Sequence, residues 1–145
     1  MQYIIGTSLI NFDEKSNTVI TTGQVYDTEH HDALIASGVP EITDTEFTII
    51  KRKSVAWAAA NLHGEQIDAN ARTSLLYLLI DPACPQWRKD RILAVQSWWS
   101  ALWAEYARVV ALIIQESNGL VEGNTVFDPL LVGNCPYTIW QVVTE

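Results

Sequence analysis

The chain has 145 residues, of which 48% are hydrophobic and only 18% charged, and its formal net charge is −8. That length fits one domain over 1–145, and six tryptophans can furnish a sizeable core. The acid excess disfavours DNA and RNA as partners, and the sparse charge points to a surface partly covered by other proteins. Lys51-Arg52-Lys53 is the one basic cluster and reads as a solvated turn or helix face. The N-terminal MQYIIGTSLINF lacks the basic and long apolar regions of a signal peptide. No apolar run reaches membrane-spanning length, so neither a membrane partner nor a membrane address is expected. Two cysteines are too few for a disulfide framework, and buried free thiols are the default.

Residues 2–10 are rich in Ile, Tyr and Thr and read as a strand. A polar turn over 11–17 and a second β-favouring run over 18–25 complete a β-hairpin within residues 1–26. Asp27 or Thr28 then caps a short helix through Ala36, closed by Gly38 and Pro40. Thr43 with Glu46 makes a capping-box pattern. It opens a helix over 44–62, although Phe47-Thr48-Ile49-Ile50 is strand-like, and Gly64 ends it. Asp68 opens a third helix through Ile80, with Ile67, Ala71, Leu75 and Leu78 on one stripe. Asp81-Pro82 stops that helix.

The stretch from Gln86 to Ser117 contains neither Gly nor Pro and reads as one long helix. Ile92, Val95, Trp99, Leu102, Tyr106, Val109 and Ile113 follow alternating steps of three and four, which makes one face apolar throughout. The opposite face carries Ala94, Ser97, Ser100, Ala101, Ala104, Ala107 and Ala111, small side chains that let another backbone come close. Trp98, Trp99 and Trp103 crowd into six positions. Their helical spacing makes core the first reading, and interface anchoring, with Tyr106 and Trp140, the second. Ser117-Asn118-Gly119 is a stop signal. Residues 118–145 then read as irregular, ending in a short helix or strand docked on the core, with Pro136 suited to a first helical position. The expected fold is α+β and mostly α, an N-terminal β-hairpin followed by a helical bundle around one long helix at about 86–117.

The densest polar cluster is Asp27-Thr28-Glu29-His30-His31-Asp32. Asp27 with His30 or His31 falls at helical ligand spacing, so these are the metal candidates. The competing reading is a helix N-terminus whose acids favour the dipole. Cys84-Pro85 and Cys135-Pro136 echo one another, and a cysteine at a helix N-terminus has a lowered pKa. A nucleophilic pair with His63 would need the fold to bring them together. Phosphate-loop, nucleophile-elbow and zinc-knuckle patterns are missing from the sequence. Neither a catalytic residue nor a cofactor is therefore assigned, and the expectation is a protein that is not an enzyme.

The block SLLYLLIDPACPQWRKDRILAVQSWWSALWAEYARVV and the ending NCPYTIWQVV resemble small proteins of the tail and tail-fibre region of tailed bacteriophages. The resemblance covers the C-terminal half and brings no catalytic residues with it. It implies a virion structural component or a fibre-assembly factor, made in the host cytoplasm and bound to tail or fibre proteins or to further copies of itself. A phage-encoded inhibitor of a host protein and a small metal-binding module or enzyme using His30 and His31 are the alternatives.

Overall fold

The computed structural model describes residues 1–144 and shows an α+β, mostly α architecture. Three strands, β1 (Gln2–Ile5), β2 (Ser8–Asp13) and β3 (Thr18–Gln24), precede the helices. The helices are α1 (Thr28–Ala36), α2 (Asp44–Gly64), α3 (Ala69–Ile80), α4 (Gln86–Ser117), α5 (Pro129–Val132) and α6 (Ile139–Val143). Packing divides the chain into two compact units, one of Met1–Val55 with Leu112–Asn124, the other of Ala56–Ala111 with Thr125–Glu145.

In the first unit the sheet is an antiparallel meander in the order β1-β2-β3. The expected hairpin is thus corrected to three strands. The run over residues 2–10 is broken by Gly6, whose φ of +60° folds β1 back onto β2 in register Ile5 with Ser8. Tyr3, Ile10 and Phe12 are buried against Ile42, Phe47 and Ile50, and Phe12 meets the Phe47 ring edge-on at 5.6 Å. Residues 40–42 run along the outer edge of β1. The Ile4 amide donates to the Pro40 carbonyl, and the Ile42 amide donates to the Ile4 carbonyl, each at 2.9 Å. The strand-like Phe47-Thr48-Ile49-Ile50 is helical because the Thr43–Glu46 capping box forms, the Glu46 amide donating to Thr43 Oγ1 at 3.0 Å. Arg52 and Glu116 form an ion pair at 2.8 Å, with the Glu116 side chain almost fully buried.

In the second unit α3 and α4 form a helical hairpin around a core of Ile67, Leu75, Cys84, Ile92, Val95, Trp98 and Val142. Asp68 caps α3, accepting from the Ala71 amide at 2.7 Å. Asp81 organises the reversal, its carboxylate accepting from the Ala83 amide at 2.9 Å and its carbonyl from the Cys84 amide at 3.0 Å. The apolar seam of α4 buries Ile92, Val95, Leu102 and Val109 as its spacing predicts. Glu105 is buried too, held by Arg108 through two contacts at 2.8 and 2.6 Å.

The tail is more ordered than the sequence suggested. Asp128 caps the four-residue helix α5, and Pro129 takes its first turn. The terminal helix α6 forms, but Thr138 is its cap, with a full capping box to Gln141, so the first turn lies downstream of Pro136. Val142 is fully buried, and the carbonyls of the last turn are taken up by α4. Arg88 donates to Val143 O at 2.9 Å, and Arg91 donates to Gln141 O at 2.6 Å. Among the described residues no helix is long and apolar enough to cross a membrane.

Candidate functional site

The aromatic run of α4 divides into buried and half-buried members. Trp98 is buried and donates from Nε1 to the Gly133 carbonyl at 2.9 Å. The same carbonyl accepts from His63 Nε2 at 2.6 Å. That bond places the proton of His63 on Nε2 and leaves Nδ1 to accept from Gln66 Nε2 at 3.3 Å. Gln66 Oε1 in turn accepts from the Cys135 amide at 2.9 Å. His63, Gln66 and Trp98 thus clamp the 133–135 segment, and the His63 ring packs between Trp98 and Phe127 at 5.7 and 6.4 Å. Trp99, Trp103 and Tyr106 continue as a row of tilted and edge-on rings 5.7–6.2 Å apart. Trp140 on α6 stands 71% exposed.

His63 and Cys135 do come into one network, through the Cys135 backbone rather than its thiol. The Cys135 Sγ–H donates to the Tyr137 carbonyl at 3.2 Å, and burial pushes its pKa up, the reverse of an activated thiolate. Both cysteines are free thiols, and Cys84 is buried in the core.

The α1 cluster is occupied by local bonding. Asp27 accepts from the His30 amide at 2.7 Å as the helix cap, and His30 Nδ1 accepts from the Tyr26 amide at 3.3 Å. His31 Nε2 pairs with Glu41 at 2.8 Å and Nδ1 faces Asp32 at 3.5 Å. The bond to Glu41, then that to Asp32, raises its pKa. Among the described residues no group of three or more His, Cys, Asp or Glu is placed to hold a metal ion.

A concave feature of the second unit lies between α3 and α4. It is an open groove of about 360 Å³ lined by Arg72, Leu75, Leu76, Val95, Gln96, Trp99 and Ser100. The Arg72 guanidinium lies over the Trp99 ring, 3.7 Å from its centre, and donates to the Ile67 carbonyl at 3.2 Å. The chain matches no protein-family model, no curated protein and no solved structure. Other large apolar side chains of the two helices are exposed. Leu76 and Ile80 follow Arg72 at four and eight residues on α3, 54% and 74% exposed, with Tyr77 at 69% beside them. On α4, Leu93 precedes Gln96 by one helical turn and is half exposed. The small face of α4 is also open at Ser97, Ser100, Ala101, Ala104, Ala107 and Ala111. Composition signalled the aromatic row, but the pairing of Arg72 with Trp99, 27 positions apart, needed the α3–α4 turn to bring it about.

Proposed function

We propose that this protein is non-enzymatic and works by protein–protein contact, as a structural or assembly component of a phage tail or tail fibre. The observation that carries the contact reading is the exposure of Leu76, Tyr77, Ile80 and Leu93 on α3 and α4, with Leu76 lining a groove together with Leu75, Val95 and Trp99. Large apolar side chains exposed on neighbouring helices are costly to leave hydrated and are characteristic of surfaces that meet a partner. Trp99, capped by Arg72, combines two side-chain types that dominate interface energetics. The tail context rests on the resemblance of the C-terminal half.

The test is co-expression with phage tail and fibre proteins, followed by affinity purification on a tag carried by this chain. A tail or fibre protein retained in stoichiometric amount, and lost with a Leu76→Ser, Ile80→Ser double variant, is the expected result. Retention of a host protein in place of any tail protein would replace this reading with the host-directed inhibitor.

A further inference from the structure

The α3–α4 groove is apolar with one charged side chain at its end, and the sign of that charge is opposite to that of the chain as a whole. Arg72 is the cation, in a protein of net charge −8. Among the described residues no carboxylate lies within ion-pair distance of it. Its guanidinium is held in place rather than free to sweep, since one face is stacked on Trp99 and one Nη is committed to the Ile67 carbonyl. A planar guanidinium fixed in this way keeps further N–H donors for a carboxylate at little additional entropy cost. The rest of the lining, Leu75, Leu76, Val95 and Trp99 with Gln96 and Ser100 on one wall, offers van der Waals surface and two neutral hydrogen-bonding groups.

We infer that this groove docks a segment of a partner protein that presents an aliphatic or aromatic side chain to the groove and, within about one helical turn of it, an Asp or Glu to Arg72. This deepens the contact reading given above and rests on it. Two observations favour a protein segment over a small amphiphile or a second copy of the chain. Exposed apolar side chains lie outside the groove lining on both helices, Ile80 on α3 and Leu93 on α4, and a short ligand held in the groove would leave them uncovered. Two copies, each at −8, repel one another at long range, whereas a partner placing one carboxylate on Arg72 needs no net charge of its own.

The experiment pans a random linear peptide display library on the immobilised full chain. Recovered peptides are then synthesised and measured by fluorescence polarisation against wild type, Arg72→Met and Leu76→Ser. Arg72→Met keeps an apolar stem over Trp99 and removes the charge. The expected result is enrichment of peptides pairing an apolar residue with an Asp or Glu within about four positions. Affinity should fall about tenfold or more for Leu76→Ser, for Arg72→Met and for peptides with the acid replaced by its amide. The last two losses should not add, because they delete the two ends of one interaction. Peptides that bind through Leu76 yet ignore both Arg72→Met and the amide replacement would overturn the charge match and leave the contact surface standing. Recovery of no binding peptide would overturn the inference, and with unchanged co-purification by the Leu76→Ser, Ile80→Ser variant it would overturn the contact reading too. Binding of dodecanoate alone at comparable affinity would overturn it in favour of a small amphiphile. A wild-type dimer abolished by Leu76→Ser would overturn it in favour of a second copy. Should Arg72→Met fold poorly, the amide-replaced peptides on wild-type protein carry the same test.

Discussion

At Gly64 a single hydrogen atom decides how closely α2 meets α4. A Cβ there would lie 2.9 Å from Trp99 Cζ3 and 3.2 Å from Leu102 Cδ2. Gly→Ala within a helix otherwise stabilises by about 0.5–1 kcal/mol, but overpacking of a filled site costs about 1–3 kcal/mol. Gly64→Ala is therefore expected to destabilise, read as a lower midpoint in urea at unchanged slope; an unchanged or raised midpoint would contradict the packing described. His31 supports a prediction of a different kind. Its pairing with Glu41 and Asp32 raises its pKa above the ordinary 6.5, so the folded state holds the proton more tightly than the unfolded chain. The stabilisation is complete below pH 6.5, as long as the carboxylates stay ionised, and is lost as the pH rises through the folded value. An NMR titration of the His31 ring should give a midpoint above 6.5 that falls in Glu41→Gln; a wild-type midpoint at or below that value would contradict the pairing. The clamp of His63, Gln66 and Trp98 on residues 133–135 was beyond the reach of the sequence. Its partners lie up to 70 residues apart, and neither spacing nor composition encodes a meeting at that range.

Among the elements, helix α6 has five residues and cannot be stable alone, because so few residues do not repay helix nucleation. Its cap and its docking hold it together. Thr138→Ala removes the side chain that accepts from the Gln141 amide at 3.2 Å and should cost about 1 kcal/mol. Amide exchange should accelerate first at Val142 and Thr144, while the α3 amides stay protected; uniform loss of protection would show that α6 opens only with the whole unit. The longer elements were legible in the residues. Gln86–Ser117 has an unbroken 3–4 apolar rhythm and clear stop signals, and Asp27, Thr43 and Asp68 are capping residues that cap. Short elements were less so. Residues 2–10 look like one strand because only Gly6 interrupts their β-favouring character, and α5 is too short to show a period. Its Asp128-Pro129 start carried a cap and first-turn signal that Gly133 and the surrounding turn residues masked.

For the molecule as a whole, the low charge and high apolar content match what the surface displays. Large hydrophobic side chains remain exposed on α3, α4, α5 and α6, among them Ile80, Leu93, Leu130 and Trp140. The aromatic run of α4 divides into a buried Trp98 and the half-buried Trp99, Trp103 and Tyr106. Trp98 is core, and Trp98→Ala should cost about 3–5 kcal/mol, the range of large aromatic truncations. Trp99 is half-buried at the groove, so Trp99→Ala should weaken partner binding as well as folding, measured by peptide affinity beside urea denaturation. A folded Trp99→Ala protein with undiminished binding would remove it from the contact surface. The most direct measurement is the native mass by light scattering, for the chain alone and mixed with tail and fibre proteins, in wild type and in the Leu76→Ser, Ile80→Ser variant. Wild type should form a mixed particle heavier than the 16.2 kDa chain in at least one mixture, and that particle should be lost in a variant with unchanged circular dichroism. Equal monomeric masses for both proteins in every mixture, or equal assembly by both, would contradict the contact reading.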